Sequence, residues 1–121
     1  MDRQQKLEAV ARGQRAEAWV AERLREQGWS ELARNWRCDA GELDLVVELD
    51  AVLRFVEVKA RAPGDEGGLE AIGESKRRHL RRAGETWLTE RGLPEREVAF
   101  LVVVVTCGPG AWTAEWLDDA F

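Results

Sequence analysis

Residues 41–61 read GELDLVVELDAVLRFVEVKAR, and four side chains in this stretch are of types that do chemistry: Glu42, Asp44, Glu57 and Lys59. Carboxylate oxygens are hard ligands that suit Mg2+ or Mn2+. An ammonium beside them is placed to stabilise developing negative charge or to orient a water. The surrounding residues are rich in Leu, Val and Phe and read as two strands, 42–49 and 53–60, joined by a short link.

Side chains alternate along a strand, so Glu42 and Asp44 share a face, as do Glu57 and Lys59. A two-residue loop at Asp50 and Ala51 pairs positions whose numbers sum to 101, which sets Asp44 opposite Glu57 and Glu42 opposite Lys59. A four-residue loop keeps that register, whereas an odd loop needs a bulge. Asp-Ala is not a favoured two-residue turn. In this register the four charged side chains project from one side. Leu43, Leu45, Val47, Val56 and Val58 form an apolar face on the other. For Glu42 and Lys59 alone, a solvated face with a cross-strand ion pair is the ordinary reading. Glu17 changes the balance. Val10, Glu17 and Leu24 are spaced by seven, almost in line on a helix. The carboxylate therefore falls in an apolar stripe, where it is costly unless it meets a partner. With Glu17 included, the group carries a net charge of −3 and repels itself unless a cation enters. A divalent cation, Mg2+ or Mn2+, is the expected cofactor.

These side chains need elements to hold them. A helix is expected over 5–27, with Leu7, Val10, Val20, Ala21 and Leu24 on its stripe and Gly28 as its stop. Residues 34–39 read as a short strand. Residues 61–70, with one Pro and three Gly, read as a mobile loop. A second helix spans 74–91, carries Ile72, Leu80, Ala83 and Trp87 on one stripe, and ends at Gly92 and Pro94. VAFLVVVVT, 98–106, reads as a strand buried on both faces, and 111–117 as an edge strand. The order α-β-β-β-α-β implies an α/β fold, a mixed sheet flanked by helices.

The 121 residues fit one domain, 1–121. The start of the chain lacks an apolar leader, and VAFLVVVV is too short to span a bilayer as a helix, so a cytoplasmic protein without a membrane partner is expected. Cys38 and Cys107 lack metal spacing and read as inert, buried thiols. The net charge of −5 argues against a general nucleic-acid coat protein. KRRHLRR, Lys76 to Arg82, nevertheless offers a basic helix face. Lys76, Arg77 and Arg81 are the expected phosphate contacts, joined by Arg61. Lys76 lies near the apolar stripe, where it faces either phosphate or the site itself. His79 receives no catalytic role. The six tryptophans read mainly as core or interface residues.

GELDLVV followed by RFVEVKAR resembles the small YraN-like, or UPF0102, family, and the resemblance runs over almost the whole chain. GQRAE resembles that family's N-terminal helix motif, NWR its short strand and EWLDDAF its end. Members look like PD-(D/E)xK nucleases, similar in arrangement to archaeal Holliday-junction resolvases. Asp44 matches the D of that motif, and Glu57 and Lys59 match its (D/E)xK. The resemblance implies a restriction-endonuclease-like core and a Mg2+-dependent endonuclease that hydrolyses DNA phosphodiesters in branched or repair-related DNA. In that scheme Asp44, Glu57 and Glu17 bind the metal, Lys59 stabilises phosphoryl charge and Glu42 orients Lys59. Related resolvases are dimers, so a homodimer is the corresponding expectation. The alternative is a nucleic-acid-binding module that keeps the nuclease fold without cleaving. A third reading is an interaction protein whose carboxylates are merely solvated.

Overall fold

A computed structural model describes residues 2–65, 72–93 and 96–118. Most of the glycine-rich loop, the Pro94 stop and the chain end at 119–121 lie outside the described residues. Helix α1, Arg3–Glu26, opens with a capping box: Asp2 Oδ1 accepts the Gln5 N–H at 2.8 Å and Gln5 Oε1 accepts the Asp2 N–H at 2.9 Å. Only its second half is buried, through Ala16, Glu17, Val20, Ala21 and Leu24. Gly28 ends it at positive φ, with the Trp29 N–H bonded to the Leu24 carbonyl at 3.0 Å and the Gly28 N–H to that of Arg25 at 2.9 Å. That is the Schellman pattern.

Three antiparallel strands follow: β1, Ser30–Cys38; β2, Gly41–Leu49; and β3, Val52–Arg61. Helix α2, Glu74–Glu90, carries the chain back so that β4, Glu97–Thr106, lies parallel to β3. Strand β5, Thr113–Asp118, pairs antiparallel at the far edge, giving the sheet order β1-β2-β3-β4-β5. The fold is mixed α/β, and its order is consistent with a restriction-endonuclease-like core. Among the described residues no helix is long and apolar enough to cross a membrane.

Helix α1 covers one sheet face, where Val20 and Leu24 pack with Leu45, Val47, Val56 and Val103. The other face meets α2, where Val46, Leu53 and Phe55 pack with Leu80, Ala83 and Trp87. Val102 to Val105 of β4 are fully buried, as a doubly covered strand requires. The hairpin therefore does not divide into one apolar and one charged face. Leu43 joins the α2 cluster while Leu45 joins that of α1, and the opposite face is core along most of its length. The charged positions occupy only one end. Strand β1 begins four residues earlier than its composition suggests, because a register shift between Glu31 and Ala33 breaks its period. Cys38 and Cys107 are free and half-buried rather than enclosed.

The hairpin register is the one that sums to 101, from Leu45–Val56 to Leu49–Val52. Asp50 and Ala51 both have positive φ, at 49° and 68°, as a type I′ turn demands. Asp tolerates that region better than Ala does. The twist of the hairpin thus overrides the local preference of the dipeptide.

Two substitutions test this scaffold. Ala51→Gly relieves the positive φ and should stabilise the protein by about 0.5–1 kcal/mol in urea denaturation; an unchanged midpoint would argue against a strained turn. Gly84 has the opposite logic. A Cβ there would sit 2.8 Å from Phe55 Cε2, and the Phe55 ring is hemmed in by Trp87 at 6.0 Å and Phe100 at 5.4 Å between centroids. Gly84→Ala should destabilise, because overpacking at about 1–3 kcal/mol outweighs the roughly 1 kcal/mol of helix propensity recovered. Greater stability in the same assay would show that the ring gives way freely.

Candidate functional site

The β2–β3 ladder ends at Leu45–Val56. Beyond it Asp44 Oδ2 accepts the Val58 N–H at 2.9 Å, so a side chain takes the place of a strand carbonyl. The expected pairs Asp44–Glu57 and Glu42–Lys59 are therefore not ladder partners. The strands part, and charged groups fill the opening. This end of β3 is also the C-terminal end of its parallel pairing with β4, where open α/β sheets place their ligands.

Five elements converge there. Glu17 of α1 is the one buried charged residue among those described, and it lies in hydrogen-bonding contact with Asp44. Glu42 and Asp44 come from β2, and Glu57 from β3. Strand β1 contributes Asn35, which lies opposite Asp44 between the pairs Arg34–Leu45 and Trp36–Leu43. Asn35 has φ of 52°, a left-handed conformation inside a strand that Asn adopts more easily than most residues. With its amide turned to satisfy both neighbours, Asn35 donates to Glu17 Oε2 at 2.7 Å and to Glu42 Oε1 at 3.2 Å. From α2, Lys76 Nζ lies 3.3 Å from Glu57 Oε1. Lys76 is four residues before Leu80 and eleven before Trp87, so it is the outermost member of the inward stripe.

Burial sets the electrostatics. It pushes Glu57 up to about 8, with repulsion from Asp44 adding to it and Lys76 only partly opposing it. Glu17 rises to about 7, first through burial, then through repulsion from Asp44 and Glu42. Asp44 is also raised by burial, although the Val58 N–H counteracts this. Contact with Asp44 raises the proton affinity of both glutamates. A cluster of this kind binds protons because it lacks positive charge.

The expected Glu42–Lys59 contact is not formed among the described residues. Glu42 pairs with Arg37 at 3.6 Å rather than with Lys59. Lys59 is exposed and lines a cavity of about 300 Å3 with Glu57 and Lys76. The ammonium that touches the carboxylates is therefore that of Lys76, which helical spacing alone left between two roles. Arg61 Nε donates to Thr106 Oγ1 at 2.9 Å, across the β3–β4 pairing. Arg77 is half-buried and its Nε has no partner among the described residues. Arg81 is exposed. Asn35 was missed by reasoning from composition, although an Asn inside a strand is itself a signal of irregular backbone.

The donor set consists of hard oxygens, as Mg2+ or Mn2+ requires. Its placement is not closed: among the described residues, no three His, Cys, Asp or Glu side chains are gathered tightly enough to hold an ion as they stand. The chemistry of the donors fits a hard divalent cation.

The model of the uncharacterised protein family UPF0102 matches residues 16–105, which includes all four carboxylates and Lys76. A UPF0102 protein of Synechococcus sp. (strain JA-3-3Ab) is 51% identical over 80 residues, covering 64% of this chain and 60% of that protein. UPF0102 protein gll3754 of Gloeobacter violaceus is 48% identical over 98 residues, 78% of each chain. Another UPF0102 protein of the same Synechococcus strain is 44% identical over 117 residues, 90% of this chain and 89% of its own length.

The raised values carry a stability signature. Glu57 and Glu17 keep their protons in the folded state to about 8 and 7 but lose them near 4.5 when unfolded. Their contribution is complete below pH 4.5 and is lost as pH rises through 7 to 8. In metal-free buffer, Glu57→Gln should therefore melt several degrees above the parent at pH 8.5 and close to it at pH 5. A variant that melts lower than the parent at pH 8.5 would refute the buried, cation-starved cluster.

Proposed function

The chain belongs to the uncharacterised protein family UPF0102, and we propose that it is a Mg2+- or Mn2+-dependent endonuclease that hydrolyses DNA phosphodiesters. One observation carries this reading: carboxylates from α1, β2 and β3 meet at the C-terminal end of a parallel strand pair, in a setting that raises their proton affinity. Asp44 and Glu57 would hold the cation, with Glu17 as a third ligand directly or through water. The bound ion would lower the pKa of an attacking water and polarise the scissile phosphate.

The chain's own residues prepare that chemistry. The Val58 N–H fixes the direction of Asp44. Asn35 ties Glu17 to Glu42, so that two carboxylates from different elements move together. Lys59 and Lys76 line one cavity with Glu57, so an incoming phosphate meets two ammonium groups. Lys59 is the charge stabiliser, because of the two exposed ammonium groups it is the one without an ion pair among the described residues. The exposed Arg81 is left to contact backbone phosphates along α2.

The second reading, a nucleic-acid-binding module that does not cleave, has an observation of its own. Lys76 already sits where a cation would balance Glu57, and the ligands are not gathered.

Calorimetry with Mn2+ and cleavage of linear, flapped and branched DNA separate the readings. The parent should bind Mn2+, with affinity at least tenfold weaker in Asp44→Ala. It should cut at least one DNA form, and Lys59→Ala should reduce the rate by about 10²–10³-fold. DNA binding without cutting, with Mn2+ present, would establish the non-catalytic module. Absence of Mn2+ binding would remove the metal site.

A further inference from the structure

Gly13 stands in the middle of α1, where a glycine weakens a helix relative to alanine. Its φ is not in the left-handed region, and a Cβ built on it meets no atom of the described residues outside its own helix within 4 Å. Gly84, the glycine of α2, differs: a Cβ there would strike Phe55. An isolated glycine inside a helix costs about 1 kcal/mol relative to alanine, and for Gly13 no contact among the described residues outside α1 accounts for it.

Its position supplies another reason. Two cavities open on either side of it. One, of about 300 Å3, is lined by Ala9, Glu57, Lys59 and Lys76. The other, of about 410 Å3, is lined by Val10, Glu17, Asn35, Arg37 and Glu42. Gly13 is the one residue that lines both. No residue of α1 before Ala16 is fully buried, although Ala9, Ala11, Arg12 and Gly13 are half-buried, and this stretch lines the cavities that hold Glu17, Glu42 and Glu57. Each cavity is near the lower end of the size of small-ligand sites, about 300–1,000 Å3. Each cavity is lined by cations as well as carboxylates: Arg37 beside Glu17 and Glu42 in one, Lys59 and Lys76 beside Glu57 in the other.

We propose that the two cavities form one groove that takes a single polynucleotide strand, and that Gly13 is its saddle, kept free of a side chain so that the sugar–phosphate backbone passes against the helix. The inference rests on the nucleic-acid reading of the site and adds the form of the substrate there: one strand, unpaired locally. Charge complementarity favours this occupant, because each cavity offers a phosphate at least one cation, Arg37 in one and Lys59 with Lys76 in the other. Glycine allows the close approach of backbone to a ligand.

The test compares Gly13→Ala and Gly13→Leu with the parent in the full chain. Melting, Mn2+ binding and oligomeric state are measured alongside anisotropy of fluorescent single-stranded, duplex and tailed oligonucleotides with Ca2+ present. Gly13→Ala should melt about 3–6 °C higher yet bind single strands several-fold more weakly. Gly13→Leu should lose at least tenfold in single-strand affinity while binding Mn2+ like the parent. A substitution that stabilises the fold and weakens the ligand is not the behaviour of a packing residue. Parental affinity in Gly13→Leu would overturn the saddle and leave the nucleic-acid site standing. A lower melting point in Gly13→Ala would overturn it by exposing a packing need, and so would dissociation of a dimer by either variant. If the parent binds none of the oligonucleotides, the proposed function fails and takes the groove with it.

Discussion

The hydrogen bond from the Val58 N–H to Asp44 governs the architecture of the site. Up to Leu45–Val56, two strands satisfy each other's backbone groups. One step further, a carboxylate takes over as acceptor. The exchange ends the ladder without leaving a buried donor unsatisfied, which would cost about 1–3 kcal/mol. It also fixes a negative charge where little water reaches it. Its neighbours respond to that charge: the proton affinities of Glu17 and Glu57 rise beside it, and the Lys76 ammonium reaches in from α2.

Such a site needs a rigid frame, and the doubly covered sheet supplies it. Val102 to Val105 are buried completely, and the two helices press on opposite faces through separate apolar clusters. Phe55, Trp87 and Phe100 lock α2 at short range, which is why Gly84 faces the Phe55 ring. Since α2 is held so closely, Lys76 at its start has a defined place at the sheet's end. The frame is tight where the helices cross the core and open where α1 runs past it. The same helix type thus carries one glycine for contact and one above open space.

Much of the scaffold was legible in the order of residues. Strand alternation, the β-branched run of β4 and the glycines at 28 and 92 are local signals, and they located both helices and all the strands after β1 within a few residues. The hairpin register followed from one assumption about loop length, although the turn residues argued weakly for it. Strand β1 was less legible, because an irregular step and exposed polar residues hide its period. Glu17 stood out because a carboxylate on an apolar helix stripe is costly, and the structure buries it beside Asp44.

The sequence by itself determined which side chains are available and, where the period runs unbroken, which face of its own element each occupies, because helix and strand periods depend on neighbouring backbone. Leu43 and Leu45, expected on one face, pack on opposite ones. The sequence could not determine who meets whom. Glu42 was assigned to Lys59 by register and turned to Arg37 once the strands parted. Lys76 reached Glu57 because of how α2 lies on the sheet. Asn35 entered the site through a left-handed residue that interrupts β1. Those outcomes depend on packing angles and backbone irregularities fixed by contacts distant in sequence, and a carboxylate cluster is sensitive to them because charge interactions in a dry site change steeply with separation.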